Sequence, residues 1–169
     1  PLGRTERVVQ DSELGPLITR YEYLTDFMRR TINPRQFATT HAFQAFDSPS
    51  EDSITDIWAP EQVTVRIQRD HLGKTQWIRR SGNGASATRS YYYDAHQRLC
   101  KTVEPESRAT VQTYDPAGNL QWRASGLELT DPGCDELAVP DARKISYGYD
   151  DRNRLTWVSH GDGSAGHTR

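Results

Sequence analysis

The stretch that decides the fold spans residues 110–122 and reads Thr-Val-Gln-Thr-Tyr-Asp-Pro-Ala-Gly-Asn-Leu-Gln-Trp. Its first part is rich in Thr, Val and Tyr, which favour a β-strand. Asp115 can then accept backbone N–H bonds, and Gly118 can take the left-handed conformation that closes a tight turn. Leu120 and Trp122 follow two residues apart, so both are predicted to point to one face of a returning strand. The stretch therefore predicts a β-hairpin.

Copies of this hairpin recur at a nearly constant interval. The steps from Tyr23 through Phe46, Arg69 and Tyr93 to Tyr114 are 23, 23, 24 and 21 residues long. A period of this length predicts a repeat protein built from one supersecondary unit. The copies that begin at Phe46-Asp47 and Tyr93-Asp94 lack the glycine, and the copy at Tyr149 has Asn in its place, the next-best left-handed residue. The predicted turn residues are Asp70, Gly73, Tyr93, Asp94, Tyr114, Asp115, Gly118, Tyr149, Asp150 and Asn153.

Three of the copies resemble the YD repeats of the RHS family, whose consensus runs roughly Tyr-x-Tyr-Asp-x-x-Gly-Arg-Leu. Residues 92–99 read Tyr-Tyr-Asp-Ala-His-Gln-Arg-Leu, residues 114–120 read Tyr-Asp-Pro-Ala-Gly-Asn-Leu, and residues 147–155 read Tyr-Gly-Tyr-Asp-Asp-Arg-Asn-Arg-Leu. Residues 21–82 depart furthest from the consensus. The resemblance implies a structural segment of a shell that encloses a toxin or effector domain, in a secreted or cell-surface bacterial protein. The expected partners are the remainder of that shell and its cargo.

We therefore predict an all-β fold, in which antiparallel hairpins form a long, twisted and curved sheet. A single repeat region of about six units is expected to cover residues 1–169. Pro1–Arg4 resembles the second half of a repeat turn, so the chain is expected to be a piece of a longer array. We expect ten to twelve strands and little helix, with strands near 17–23, 28–33, 37–46, 61–69, 74–80, 88–94, 97–104, 109–115, 119–125, 144–150 and 154–160.

One segment interrupts the pattern and contains a cysteine. Residues 126–141 widen the interval between Tyr114 and Tyr149 to 35 residues and predict an inserted loop. The only cysteines are Cys100 and Cys134. They form either a disulfide that ties the loop to a neighbouring strand or two free thiols, because the redox compartment decides between these states.

Three of the four tryptophans share one position in the repeat. Each lies eight residues after the aromatic or arginine residue that marks its copy, so we expect them on one face of the sheet. One interpretation is a structural set that fills a core, and the other is a platform that binds carbohydrate or a cell surface. An exposed patch of this kind also predicts self-association, as a dimer. The patch would comprise Trp77, Trp122 and Trp157 with Leu99, Leu120 and Leu155.

Composition and motifs argue against several other functions. The net charge of −2 lacks the positive footprint of a nucleic-acid-binding protein. The sequence contains no run of 18 apolar residues, so it predicts no membrane span. The sequence has no phosphate-binding loop, nucleophile elbow or zinc-binding motif, and turn capping explains its regularly spaced carboxylates. We therefore predict no catalytic residues, no metal and no cofactor.

Overall fold

A computed structural model describes residues 3–45 and 49–167 of the chain. Two features predicted from the sequence involve residues that the structure does not describe. The repeat turn predicted at Phe46-Asp47 lies outside the described residues, and so do Pro1 and Leu2 of the predicted opening half-turn.

The described residues form an all-β fold built from antiparallel hairpins, as predicted. The helical content described is limited to two short 3-10 helices, Glu136–Ala138 and Asp141–Arg143. The chain divides into two compact units, residues 1–87 and residues 88–169.

In the first unit, each strand pairs antiparallel with the strand that follows it in the sequence. This order needs only short connections, which is the simplest way to satisfy the hydrogen bonds of consecutive strands. The strands are β1 (Arg7–Gln10), β2 (Leu17–Leu24), β3 (Met28–Ile32), β4 (Ala38–Gln44), β5 (Ser50–Trp58), β6 (Thr64–Arg69) and β7 (Thr75–Gly82).

The second unit follows the same rule, and each of its strands pairs antiparallel with the next. Its first strand begins in the last residues of the first unit. The strands are β8 (Ala85–Tyr93), β9 (Leu99–Glu104), β10 (Arg108–Tyr114), β11 (Leu120–Leu127), β12 (Ile145–Tyr149), β13 (Leu155–His160) and β14 (Ala165–His167).

The sequence period corresponds to two strands. The marker residues Arg69, Tyr93, Tyr114 and Tyr149 are the last residues of β6, β8, β10 and β12. All eleven predicted strands are present within a few residues of their predicted bounds. The expected total of ten to twelve was too low, because the described part of the chain contains fourteen strands. The additional ones are β1, β5 and β14, whose sequences lack the Tyr-Asp marker.

One turn geometry closes the repeated hairpins. The Asp70 N–H donates to the Lys74 carbonyl at 2.9 Å, and the Gly73 N–H donates to the Asp70 carbonyl at 3.0 Å. Asp70 Oδ1 also accepts bonds from the amides of Leu72 and Lys74. The same two backbone bonds close the turns that begin at Asp94, Asp115, Asp150 and, outside the predicted set, Asn33 and His160.

The fourth residue of each of these turns has a positive φ angle. The values are 79° for Gly73, 90° for Gly118 and 58° for Asn153. Gln97 and Gln36 adopt the same conformation, at 64° and 65°, although an L side chain is strained there. These two turns therefore form without glycine, at an energetic cost.

Replacing Gln36 by Gly is expected to stabilise the first unit. Gly removes the left-handed strain and loses part of this gain to its larger unfolded-state entropy, so the free energy of unfolding should rise by about 0.5–1 kcal/mol. Urea unfolding measures the change. The matched control is Arg35→Gly one residue earlier, where φ is not positive and glycine should destabilise. A Gln36→Gly protein that is less stable than the parent would contradict the strain argument.

Candidate functional site

The repeated hairpins share a β-bulge as well as a turn. Between β6 and β7, Gln68 lies opposite Trp77 but Arg69 lies opposite Thr75, so Gln76 is an extra residue. An extra residue in one strand of a pair is a bulge. The same offset occurs in the β8–β9, β10–β11 and β12–β13 hairpins, through the pairs Tyr92–Lys101 and Tyr93–Leu99, Thr113–Trp122 and Tyr114–Leu120, and Gly148–Trp157 and Tyr149–Leu155.

The bulge overturns the predicted apolar patch. Successive residues of a strand alternate between faces, and residues directly opposite each other share a face. Thr113 and Tyr114 therefore point to opposite faces, and so do their partners Trp122 and Leu120. Trp157 and Leu155 of β13 also point to opposite faces. So do Lys101 and Leu99 of β9. The prediction that the tryptophans and leucines lie together on one face was wrong, because the extra residue reverses the alternation.

In the second unit, the inserted residues pack against one face of the sheet. We call residues 128–144 the cover segment; β11 extends to Leu127, so the insertion starts two residues later than predicted. Val139 of the cover segment is buried in one cluster with Ala109 and Val111 of β10. Ala124 and Leu127 of β11 complete this cluster. The cover segment thus supplies part of a hydrophobic core that a single sheet could not form.

A disulfide attaches the cover segment to β9. Cys134 is bonded to Cys100, with the Cα atoms 5.3 Å apart. Cys100 is fully buried and is the extra residue of the β8–β9 bulge. Of the two states left open by the sequence, the structure contains the disulfide.

Next to this disulfide lies a fully buried lysine. Lys101 Nζ donates hydrogen bonds to the Asp131 carbonyl and to the carboxylate of Asp135, both in the cover segment. It also lies 4.4 Å from the centre of the Tyr92 ring. A buried ammonium is tolerated only when it is paired and hydrogen-bonded, so these contacts explain its burial.

Sequence reasoning missed Lys101 because lysine is seldom buried. A signal was nevertheless present. Lys101 lies eight residues after Tyr93, which is the position that tryptophan occupies after Arg69, Tyr114 and Tyr149. Lys101 is thus a charged residue at a position that is apolar in the other copies, and it follows Cys100. The only other cysteine of the chain lies in the acidic insertion. Together these two features indicate that the insertion covers Lys101.

The tryptophans of the second unit have different surroundings. Trp122 packs partly buried against the core, and the Lys144 ammonium lies 4.7 Å from the centre of its ring. Trp157 is 39% exposed. Its ring lies over Gly148, where a Cβ atom would come within 1.9 Å of the indole Nε1. The shared register therefore does not give these two rings equal access to a ligand.

In the first unit, Trp77 lines a groove of about 310 Å³ that we call the tryptophan groove. Trp58 of β5 also lines it and is 41% exposed. The sequence pattern did not include Trp58, because β5 lacks the repeat marker. Thr64 and Ser81 place hydroxyl groups on the same face as Trp58, since Thr64 lies opposite both residues.

A charged row crosses the tryptophan groove. Asp56 of β5 lies opposite Arg66 of β6, which lies opposite Arg79 of β7. The Arg66 Nε–H donates to Asp56 Oδ1 at 2.8 Å. The row therefore holds one carboxylate and two guanidinium groups, and it carries a net formal charge of +1.

The predicted turn residues of the second unit form a connected polar edge. The Arg98 guanidinium binds the Asp94 carboxylate within its own turn and donates to the Asp115 carbonyl of the next, at 3.1 Å. The Asn119 side-chain amide donates to Asn153 Oδ1 at 2.9 Å. These carboxylates and amides are therefore engaged in the structure of the turns.

Hydrogen bonds to the aspartates of these turns make the stability of the protein depend on pH. The side chain of Arg154 hydrogen-bonds to the Asp150 carboxylate and lowers its pKa, helped by the backbone amides of Arg154 and Arg152. A lowered pKa stabilises the folded state above the unfolded pKa of about 3.9, and this stability is lost as the pH falls through the folded value.

The Asp150→Asn variant is therefore expected to be less sensitive to acid. The asparagine Oδ1 can still accept the turn amides, but the side chain no longer titrates. Between pH 5 and pH 2.5 its urea midpoint should fall less than that of the unmodified protein. Parallel curves for the two proteins would show that the Asp150–Arg154 contact does not contribute to acid sensitivity.

Within residues 3–45 and 49–167, no group of three or more His, Cys, Asp or Glu side chains is placed to hold a metal ion. Among the same residues, no helix has the length and apolar character needed to cross a bilayer. The His41 ring stacks on Phe43. Its pKa is lowered mainly by burial and to a smaller extent by the positive charge of Arg29.

The fold and its repeated turns define a β-hairpin repeat protein. No protein-family model matches the chain, and no curated protein matches it either. The resemblance to YD repeats therefore rests on the repeat residues themselves.

Proposed function

We propose that this chain is a non-catalytic structural segment that builds part of the wall of an RHS-type shell around a toxin or effector domain. The observation that carries the proposal is the repeated hairpin register. Among the described residues, the β6–β7, β8–β9, β10–β11 and β12–β13 hairpins share one turn and one bulge. Units that repeat in this way can be added in series without a change of design, which suits a wall.

Two further features support this proposal. The regularly spaced aspartates are used in turns, and the buried Lys101 and Asp135 hold the cover segment, so these charged groups have structural roles. The disulfide between Cys100 and Cys134 suits an oxidising compartment. Secretion or cell-surface delivery fits that chemistry.

Removal of residues 1–169 from the parent protein tests the proposed wall. We expect the enclosed domain to become sensitive to added protease and its delivery to fail. The matched control keeps the segment and carries Arg35→Gly, which disturbs one turn. Normal protection and delivery of the cargo after the deletion would contradict the proposal.

A second candidate is a module that binds carbohydrate or a cell surface through the aromatic residues Trp77, Trp122 and Trp157. The exposure of Trp157 favours it, whereas the partial burial of Trp122 does not. A glycan array with each tryptophan replaced by Ala distinguishes the two functions. Loss of glycan binding in folded variants would favour the module, and unchanged binding would eliminate these residues as its site.

Self-association of the isolated chain remains a prediction, but its expected route changes. The cover segment packs on the Trp122 face, whereas β1 exposes Val8 and Val9. An exposed apolar strand can pair with a second copy of itself. We expect light scattering to detect dimers that dissociate over about a hundredfold dilution. A particle that stays monomeric at every concentration would contradict this expectation.

A further inference from the structure

We propose that His41 is an acid-sensitive switch in the first unit, and that protonation of its ring opens the packing between β3 and β4. The switch consists of His41, Arg29 and Phe43, which we call the histidine cluster. It would respond to a fall from neutral pH to about pH 5, the range in which histidine usually gains its charge. This inference does not depend on the proposed wall function.

Phe43 is the centre of the small core of the first unit. It is 5% exposed, and no other hydrophobic residue in the described part of this unit is buried to that extent. Phe27 packs edge-on against it, with the two ring centres 6.0 Å apart. Because burial of apolar surface is the main source of stability, a change at the Phe43 ring should directly affect the hairpin of β3 and β4.

Two nitrogen-containing side chains pack on Phe43 from neighbouring strands. The His41 ring stacks on it, with ring centres 6.3 Å apart and planes 24° from parallel. The guanidinium carbon of Arg29 lies 5.3 Å from the centre of the same ring. Arg29 and His41 are directly opposite each other in the antiparallel pair of β3 and β4, so both point to one face. Like charges at opposite positions destabilise a strand pair, and a charged His41 would create this arrangement.

The ring nitrogen Nδ1 of His41 is buried, and among the described residues it has no hydrogen-bond partner. The same is true of Arg29 Nε. A protonated histidine carries a hydrogen on both ring nitrogens, so Nδ1 would become a buried donor that lacks an acceptor. An unpaired buried donor costs free energy, and this cost adds to the repulsion by Arg29. Acid therefore favours a state in which the ring reaches water.

The neighbouring groups offer little compensation for a second positive charge. On β5, the residue opposite His41 is Ile57, which is uncharged. The carboxylate of Glu51, also on β5, lies 3.4 Å from the Arg29 guanidinium and is paired with it. Tyr23 of β2 lies opposite Arg29, and its hydroxyl donates to a backbone carbonyl outside the cluster.

The direction of the pH dependence follows from these contacts. Burial and, to a smaller extent, the charge of Arg29 lower the pKa of His41 below its usual value of 6.5. The cluster therefore contributes its full stability above about pH 6.5 and loses it as the pH falls through the lower folded value. This window begins at a higher pH than that of Asp150, so the first unit should loosen in mild acid before the Asp150 turn responds.

A titration of the histidine ring signals of the ¹³C-labelled protein is the first test. The signal of His41 is identified by its absence from the spectrum of the His41→Gln variant. We expect it to titrate at a lower pH in the folded protein than in the same protein unfolded in urea. Titration at the same or a higher pH in the folded state would overturn the proposal.

Hydrogen exchange, corrected for the pH dependence of the intrinsic rate, measures the opening of the hairpin. From pH 7.5 to pH 5, opening of β3 and β4 should rise at least about threefold in the unmodified protein and stay nearly constant in His41→Gln. The matched control is His71→Gln, because His71 is exposed in a repeat turn and this variant should respond like the unmodified protein. An equal response of His41→Gln and the unmodified protein would contradict the switch.

Two arginine variants test the role of the opposing charge. Arg29→Gln should move the titration of His41 to higher pH and reduce the acid-dependent opening of β3 and β4. Arg30→Gln is the matched control, because Arg30 lies opposite Thr40 and points to the other face. Equal titration of His41 in the two variants would contradict the role given to Arg29. If Arg29→Gln does not fold, the two histidine variants still decide the outcome.

Discussion

Replacement of both Cys100 and Cys134 by Ala is expected to lower the free energy of unfolding by roughly 4 kcal/mol. The disulfide closes a loop with a sequence separation of 34 residues, and the chain-entropy model gives a stabilisation of this size for such a loop. Alanine is the suitable replacement because Cys100 is fully buried and a serine hydroxyl there would need a partner. Urea unfolding of the variant and the unmodified protein measures the difference.

Dithiothreitol supplies the control for this experiment. It should destabilise the unmodified protein by a similar amount and leave the double-alanine variant unchanged. Hydrogen exchange should show that the cover segment and the strands beneath it lose protection first, since the disulfide joins them. Equal urea midpoints for the variant and the oxidised protein would show that the disulfide does not hold the cover segment in place.

Asp135→Ala is expected to cost about 3 kcal/mol of stability. It leaves the ammonium of Lys101 buried with its charge no longer compensated by a carboxylate, and removal of one partner of a buried ion pair is strongly destabilising. The measurement is again urea unfolding, with the disulfide intact. The matched control is Asp141→Ala, which removes a carboxylate that pairs with Lys144 at the surface of the same segment and should have little effect.

A second substitution distinguishes charge burial from lost packing. Lys101→Met retains the length of the side chain and removes its charge, so adding it to Asp135→Ala should restore much of the lost stability. A double variant that is as unstable as Asp135→Ala alone would contradict the role assigned to the buried ammonium.

The turns and the strand order could be predicted from the sequence, because local chemistry determines them. Asp115 accepts amide hydrogen bonds in one tight turn, and Gly118 adopts the left-handed conformation that closes it. The same two positions recur in the other described copies, although the glycine is replaced in some of them. Since one period comprises two strands, the spacing of the Tyr-Asp markers also gives the hairpin order.

The face of the sheet to which each side chain points could not be predicted, because no particular residue type marks the position of the bulge in the sequence. Gln76, Cys100, Gln121 and Thr156 occupy the extra position in successive hairpins, and these residues share no chemistry that marks it. A single extra residue reverses the face of all that follow. The predicted patch of tryptophans and leucines was wrong for this reason.

The tryptophan groove and the core under the cover segment depend on contacts that are distant in the sequence. Trp58 lies in β5, which carries no repeat marker, and the register of three strands brings it to the groove beside Trp77. Asp135 meets Lys101 only because the cover segment folds back across β9. Pairings of this kind follow from tertiary structure, so the sequence period alone does not identify the partners.

Electron cryomicroscopy of the full-length parent protein is the measurement that tests the wall proposal most directly. We predict that the strands of this segment continue, hairpin by hairpin, into neighbouring repeats that surround density for a separate domain. The segment's own hairpins should keep the register in which Thr113 lies opposite Trp122. A segment that projects from the particle as a separate domain, with no repeats on either side and no enclosed density, would contradict the account.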